Sequence, residues 1–189
     1  MLEDMQKACS ALGKLKTTYG VYFVFGNHDK GYHSPEKRGY SGTDLIKELQ
    51  KNNVIVLQDE AVLLDNNYYI LGRKDLSEFY RGGKRENMST LVNKLDKSKY
   101  IVVLDHQPND YKNQAAAEVD LVLSGHTHGG QLWPLNKAGE WMGANDKTYG
   151  YERRNLTDFI VTSGISDWAI KFKTGTKSEI VVIDIKNRS

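Results

Sequence analysis

Cysteine is almost absent from this sequence, and so are long apolar runs and any excess of one charge. The one cysteine, Cys9, excludes an internal disulfide framework and a cysteine zinc finger. It falls in a helix-like segment, where a thiol reads as a small buried side chain, and its isolation favours a reducing compartment. No apolar stretch approaches the roughly 18–20 residues that a membrane span needs, and the N-terminus lacks the basic-then-apolar order of a signal peptide. As written, the chain is expected neither to span a membrane nor to be exported, so a cytoplasmic location is the expectation. Basic and acidic residues number 26 and 24, for a net charge of +2, too even a balance for a duplex-sized electrostatic footprint; no nucleic-acid partner is expected. What is present is ordinary globular usage: 189 residues, 39% hydrophobic and 26% charged, the size of one domain over 1–189.

Residues Leu2, Met5, Ala8, Cys9, Leu12 and Leu15 follow a 3.6-residue period and predict an amphipathic helix. Val21-Tyr22-Phe23-Val24-Phe25 then reads as a short buried strand stopped by Gly26. A loop over Lys30 to Gly42 leads to a helix of about Thr43 to Lys51, followed by strand-like runs at Val54–Leu57, Ala61–Leu64 and Tyr68–Leu71. Gly72 to Arg85 is polar and reads as a solvated surface loop, although Arg73, Lys74, Arg81, Lys84 and Arg85 are also placed to meet an anionic substrate. Helices are expected at about Glu86 to Leu95 and Asn109 to Glu118, with strands at Tyr100–Leu104, Val119–Leu123, Phe159–Thr162 and Glu179–Ile185. Helices alternating with short apolar runs over the first two thirds imply an α/β layer with a mainly parallel sheet.

Three of the strand-like runs end alike. Phe25 is followed by Gly26-Asn27-His28-Asp29, Leu104 by Asp105-His106-Gln107-Pro108, and Leu123 by Ser124-Gly125-His126-Thr127-His128-Gly129-Gly130. Parallel strands share a carboxyl edge, so these loops are expected to converge on one edge of a central sheet, bringing together four of the five histidines and leaving out His33. Imidazoles with an amide or carboxylate oxygen make the donor set of a mixed N/O transition-metal site. In an extended segment, His126 and His128 would share a face and serve adjacent ions. Singly, each piece has a plainer account: a lone histidine is a solvated side chain, Gly26-Asn27 a turn, Asp29 a helix cap, and Asp105 a strand terminator. Trp133 and Trp141 either line a site wall or pack beneath it.

Together these motifs resemble the third, fourth and fifth signature motifs of the calcineurin-like metallophosphoesterases. The longer forms LDHQP and SGHTHGGQ are similar to a bacterial branch of that superfamily. The resemblance implies an α/β metallophosphoesterase-like β-sandwich flanked by helices, and a hydrolase, a phosphatase or phosphodiesterase. It would cleave a phosphate mono- or diester or a pyrophosphate with metal-activated water. It further implies a pair of divalent ions (manganese, iron or zinc), one bound by Asn27, His106 and His126 and the other by His128. His28 would be the general acid or transition-state stabiliser, oriented by Asp29. The implied substrate is a phosphorylated small molecule or a lipid-linked phosphate.

The family also opens with an Asp-x-His strand end and a Gly-Asp strand end, and neither pair of residues occurs anywhere in this chain. The expectation is therefore an N-terminally truncated, incomplete domain that is weakly active or inactive alone. Its parent protein would have room for a membrane anchor. An open sheet edge, exposed apolar surface and a homodimer through that edge are expected with it. Two alternatives stay open: a non-catalytic metal-binding or interaction module that keeps the fold, and an unrelated mononuclear zinc hydrolase using Asn27, His106 and His126 with a carboxylate such as Asp105.

Overall fold

The computed structural model describes residues 2–30 and 34–186; His33 and part of the loop expected after Lys30 lie outside them. In chain order the elements are α1 (Leu2–Gly13), β1 (Val21–Phe23), α2 (Pro35–Arg38), α3 (Gly42–Lys51), β2 (Val54–Val56), β3 (Glu60–Leu64), β4 (Tyr68–Gly72) and α4 (Ser77–Tyr80). They continue with α5 (Met88–Val92), β5 (Tyr100–Leu104), α6 (Tyr111–Ala116), β6 (Leu121–Ser124), α7 (Ala138–Trp141), β7 (Gly150–Arg154) and β8 (Thr157–Val161).

The strands form two sheets. A six-stranded sheet has the order β3-β4-β5-β6-β8-β7, with β4, β5, β6 and β8 parallel and β3 and β7 antiparallel at its edges. The parallel strands are the Val/Ile/Leu-rich runs, as interior strands of a parallel sheet must be when both faces are covered. Their core joins Leu71, Val103, Val122 and Phe159 to Met88, Leu91 and Val92 of α5 and to Tyr111 of α6, whose ring stacks on Phe159 at 3.8 Å. A separate parallel pair, β1 with β2, packs with α1 and α3 around Met5, Cys9, Phe25, Leu45, Leu49 and Val54. Cys9 is buried there, its Sγ 3.7 Å from Met5 Sδ. Helix α3 starts on a capping box, Ser41 Oγ accepting from Asp44 N while Asp44 accepts from Ser41 N.

The two sheets touch at Gly72. A Cβ there would overlap Leu57 Cβ and lie 2.8 Å from Val24 Cγ1, so only glycine admits the chain ends that leave β1 and β2. The fold is thus mixed α/β, a multi-strand sheet with flanking helices.

Two expectations need correction. Glu179–Ile185 forms no strand: Ile180 and Val182 are 84% and 91% exposed. The segment has the alternation of a strand but no ladder partner among the described residues, and hydrogen-bonded pairing is what makes a strand. Second, the polar stretch 72–85 is not a solvated loop or an anion-facing surface throughout. It carries α4, and Arg73 and Arg85 turn inward to fully buried Asp105. No helix among the described residues is long and apolar enough to cross a membrane.

Candidate metal centre

Strands β5 and β6 pair in parallel with Leu104 level with Leu123, so the residues that follow leave one edge side by side. Gly125 N donates to His106 O at 3.1 Å, which fixes the spacing of the two histidine loops. The imidazoles of His106 and His126 meet edge to face, with centroids 5.1 Å apart.

Asn27 reaches them from elsewhere. Its strand, β1, pairs with β2 and not with the six-stranded sheet, so the expected single sheet edge is in fact a meeting of two sheets. Asn27 Oδ1 lies 3.1 Å from His106 Nε2. Gly26 makes this approach possible: a Cβ on it would stand 2.8 Å from both Cε1 and Nε2 of His106. Room, and not a positive φ, is what requires glycine here.

The 126–131 loop is held in an uncommon backbone conformation. His126, His128 and Gln131 have φ of 68°, 51° and 45°, a left-handed region that costs non-glycine residues about 1–3 kcal/mol each. Thr127 between them is helical, with φ −74° and ψ −13°, so the His-Thr-His stretch is not the extended segment expected. Both imidazoles nevertheless line one cleft of about 670 Å³ together with Asn27, His28, Asp29 and His106. Contacts from distant segments hold the loop in place: Thr127 Oγ1 donates to Thr148 O at 2.6 Å, Thr176 Oγ1 to His128 O at 3.2 Å, and Gln131 Nε2 to Trp168 O at 2.7 Å. His128 Nδ1 lies 2.9 Å from the carbonyl oxygen of Ser166. A carbonyl only accepts, so Nδ1 is a donor here and Nε2 is the nitrogen left to face the cleft as a metal ligand.

Electrostatics point the same way. Burial first, and then its neighbour His106, push the His126 imidazole down to about 4, and burial also lowers His106. Both rings are therefore neutral donors at neutral pH. Burial raises the Asp29 carboxyl, offset by the Gly26 amide that donates to its Oδ2 at 2.7 Å. The donor set of Asn27, His106 and His126 fits a divalent ion by its chemistry, one hard oxygen and two neutral imidazoles. Among the described residues, no three His, Cys, Asp or Glu side chains group closely enough to hold an ion, and the set of Asn27, His106 and His126 contains an amide and no carboxylate.

Several supporting residues carry no signal in the sequence. Arg81 Nη2 donates to Asn27 O at 2.9 Å, and Arg38 Nη1 to Asp29 O at 2.6 Å, so two cations grip the backbone of the Asn27 turn. Asp105 is not available as a ligand. Its Oδ2 accepts from Arg73 at 2.9 Å, Arg85 at 2.5 Å and Gln114 at 2.8 Å, and it does not line the cleft, which removes the mononuclear zinc alternative built on it. Trp133 and Trp141, each 71% exposed, neither line the cleft nor pack beneath it; Trp168 lines it instead. Asp75, which no local motif marks, is buried and accepts from Gln107, the residue after His106.

Residues 3–130 match the calcineurin-like phosphoesterase family. The chain is 30% identical over 98% of its length to an uncharacterized metallophosphoesterase of Campylobacter jejuni, of which it covers 47%. It is 31% identical over 90% of its length to one of Bacillus subtilis, covering 62% of that protein. A transmembrane protein with metallophosphoesterase domain from Bos taurus is 28% identical over 93% of this chain, which covers 41% of the bovine protein. The chain thus spans about half the length of the curated relatives it matches. A motif trio on converging strand ends and a family match over most of its length lead to one conclusion: the chain belongs to the calcineurin-like phosphoesterase family.

Proposed function

We propose that this chain is the metal-binding core of a hydrolase for phosphate mono- or diesters or a pyrophosphate. Asn27, His106 and His126 hold one divalent ion, and His128 offers a single donor to a neighbouring one. The observation that carries this reading is the approach of Asn27 Oδ1 to the paired imidazoles from a different sheet. A divalent ion, when bound there, would supply Lewis acidity toward a phosphoryl oxygen and activation of water. His28, which lines the cleft beside Asn27, is the group positioned to give a proton to the leaving oxygen. Asp29 closes the turn that carries it through Gly26 N. Arg38 and Arg81 fix that turn from behind, as a site that must hold its donors within a fraction of an ångström requires.

The donor count sets the activity of the chain alone. Three neutral ligands for one ion and one for another support binding nearer one ion than two, with low turnover of generic phosphodiesters in added manganese. Elemental analysis after gentle purification, beside His106→Ala and His126→Ala, tests this. About one ion per chain, lost in both variants, is the expected result. Two tightly held ions, or one that survives both substitutions, would overturn it. The shortage of donors for a second ion favours one other reading, a metal-binding module without turnover. A phosphodiesterase assay beside His128→Ala separates the two, because turnover abolished by that change is chemistry at this site.

A further inference from the structure

Asp75 sits on the segment leaving β4. That strand runs parallel to β5 with Gly72 level with Leu104, so Asp75 belongs to the same sheet edge as His106 and His126. Asp75 is 2% exposed and does not line the cleft. Both carboxylate oxygens lie 3.0 Å from Nε2 of Gln107, the residue after His106, and Oδ1 also accepts from Ser77 N at 2.8 Å. No lysine or arginine pairs with it among the described residues, whereas Asp105, equally buried, lies between Arg73 and Arg85. A buried carboxylate whose partners are neutral amides has no counter-ion.

The donor set in front of it has the opposite imbalance. Asn27, His106 and His126 are neutral, so a divalent ion among them meets no anionic ligand. Gln107, held by both carboxylate oxygens of Asp75, is the residue next to His106, and β4 and β5 end level at Gly72 and Leu104. Two imbalances of opposite sign are therefore neighbours.

We infer that Asp75 is the counter-charge of the site, a carboxylate held behind the His106 strand end that balances a cation among Asn27, His106 and His126 without touching it. The inference rests on the metal-binding reading above and adds a positioning residue to it. Its two consequences have opposite signs, which a merely structural role would not produce. Asp75→Asn keeps the size and an oxygen that accepts from Ser77 but removes the charge. In chelator, the variant melts at or above the temperature of the unaltered chain, because an unbalanced buried charge is gone. Titrated with Mn²⁺ against a chromophoric chelator, it binds about 10–100-fold more weakly, the range set by outer-shell partners of metal ligands.

Equal Mn²⁺ affinity in Asp75→Asn, with His126→Ala weakened, would overturn the inference and leave the metal site standing. A variant that fails to fold, or that melts well below the unaltered chain in chelator, would also overturn it by making Asp75 a structural prop. If the unaltered chain binds no divalent ion, or His106→Ala and His126→Ala bind as tightly as it does, the metal-binding reading itself fails and the counter-charge falls with it.

Discussion

Gly26→Ala is the sharpest probe of how the site is assembled. The added methyl would lie 2.8 Å from Cε1 and Nε2 of His106 and 3.1 Å from its Cδ2. Ordinary van der Waals contact begins at about 3.4 Å, so the ring must retreat by about half an ångström or more, and it is the ring whose Nε2 stands 3.1 Å from Asn27 Oδ1. Gly26 has no positive φ, so the substitution adds volume without backbone strain. Overpacking a filled site costs about 1–3 kcal/mol. At about 2–4 °C per kcal/mol for a chain of this size, the midpoint of thermal unfolding falls by roughly 2–12 °C. Mn²⁺ affinity falls at least about tenfold, since losing about 1.4 kcal/mol of one ligand's contribution already gives that factor. Gly125→Ala is the control, because a Cβ there would meet only Thr162 Cγ2 at 3.9 Å. Differential scanning fluorimetry in chelator and competition against a metallochromic dye read both quantities. If the Gly26→Ala and Gly125→Ala chains melt together and bind metal equally well, the argument that the His106 ring and the Gly26 backbone are in contact is refuted.

Other outcomes follow from the same geometry. Arg73→Ala leaves the fully buried Asp105 with a missing partner and is expected to cost about 3–5 kcal/mol in urea unfolding; a loss under about 1 kcal/mol would mean that Arg85 and Gln114 suffice. In chelator, stability should fall as pH drops from about 6.5 toward 4. The unfolded His126 takes up its proton in that window, while the folded one, held down to about 4, does not. Stability from this group is thus present above the unfolded value and lost as pH falls through the folded one. His126→Gln should flatten that part of the profile, and an unchanged slope would count against burial as the cause.

Much of the site is legible in the sequence because its parts are local. Leu104 and Leu123 end apolar runs, and the histidines follow at once, so strand ends and donors are encoded together. The sheet that each run joins is not local. Val21–Phe23 looks like the other runs, yet it pairs with Val54–Val56, and that choice depends on packing by α1 and α3. Arg73 and Arg85 mislead for a related reason. Their partner Asp105 is 32 and 20 residues away, and a polar stretch gives no local sign that its charges will be buried. Strand β7, GYERR, escapes a pattern reading because an edge strand exposing Tyr151 and Arg153 lacks the apolar signature of the interior ones. Glu179–Ile185 shows the converse, a strand pattern without a ladder.

The split origin of the donors has a mechanical consequence. Asn27 is carried by the layer built on Met5, Cys9 and Leu49, while His106 and His126 are carried by the layer built on Val103, Val122 and Phe159. A cation gripped by both would act as a rivet between two separately packed cores. By thermodynamic linkage, whatever pries those cores apart must weaken the rivet, and the rivet must oppose their parting by an equal free energy. Amide hydrogen exchange in β1 and α3 would then report occupancy of a site whose imidazoles follow strands of the other sheet.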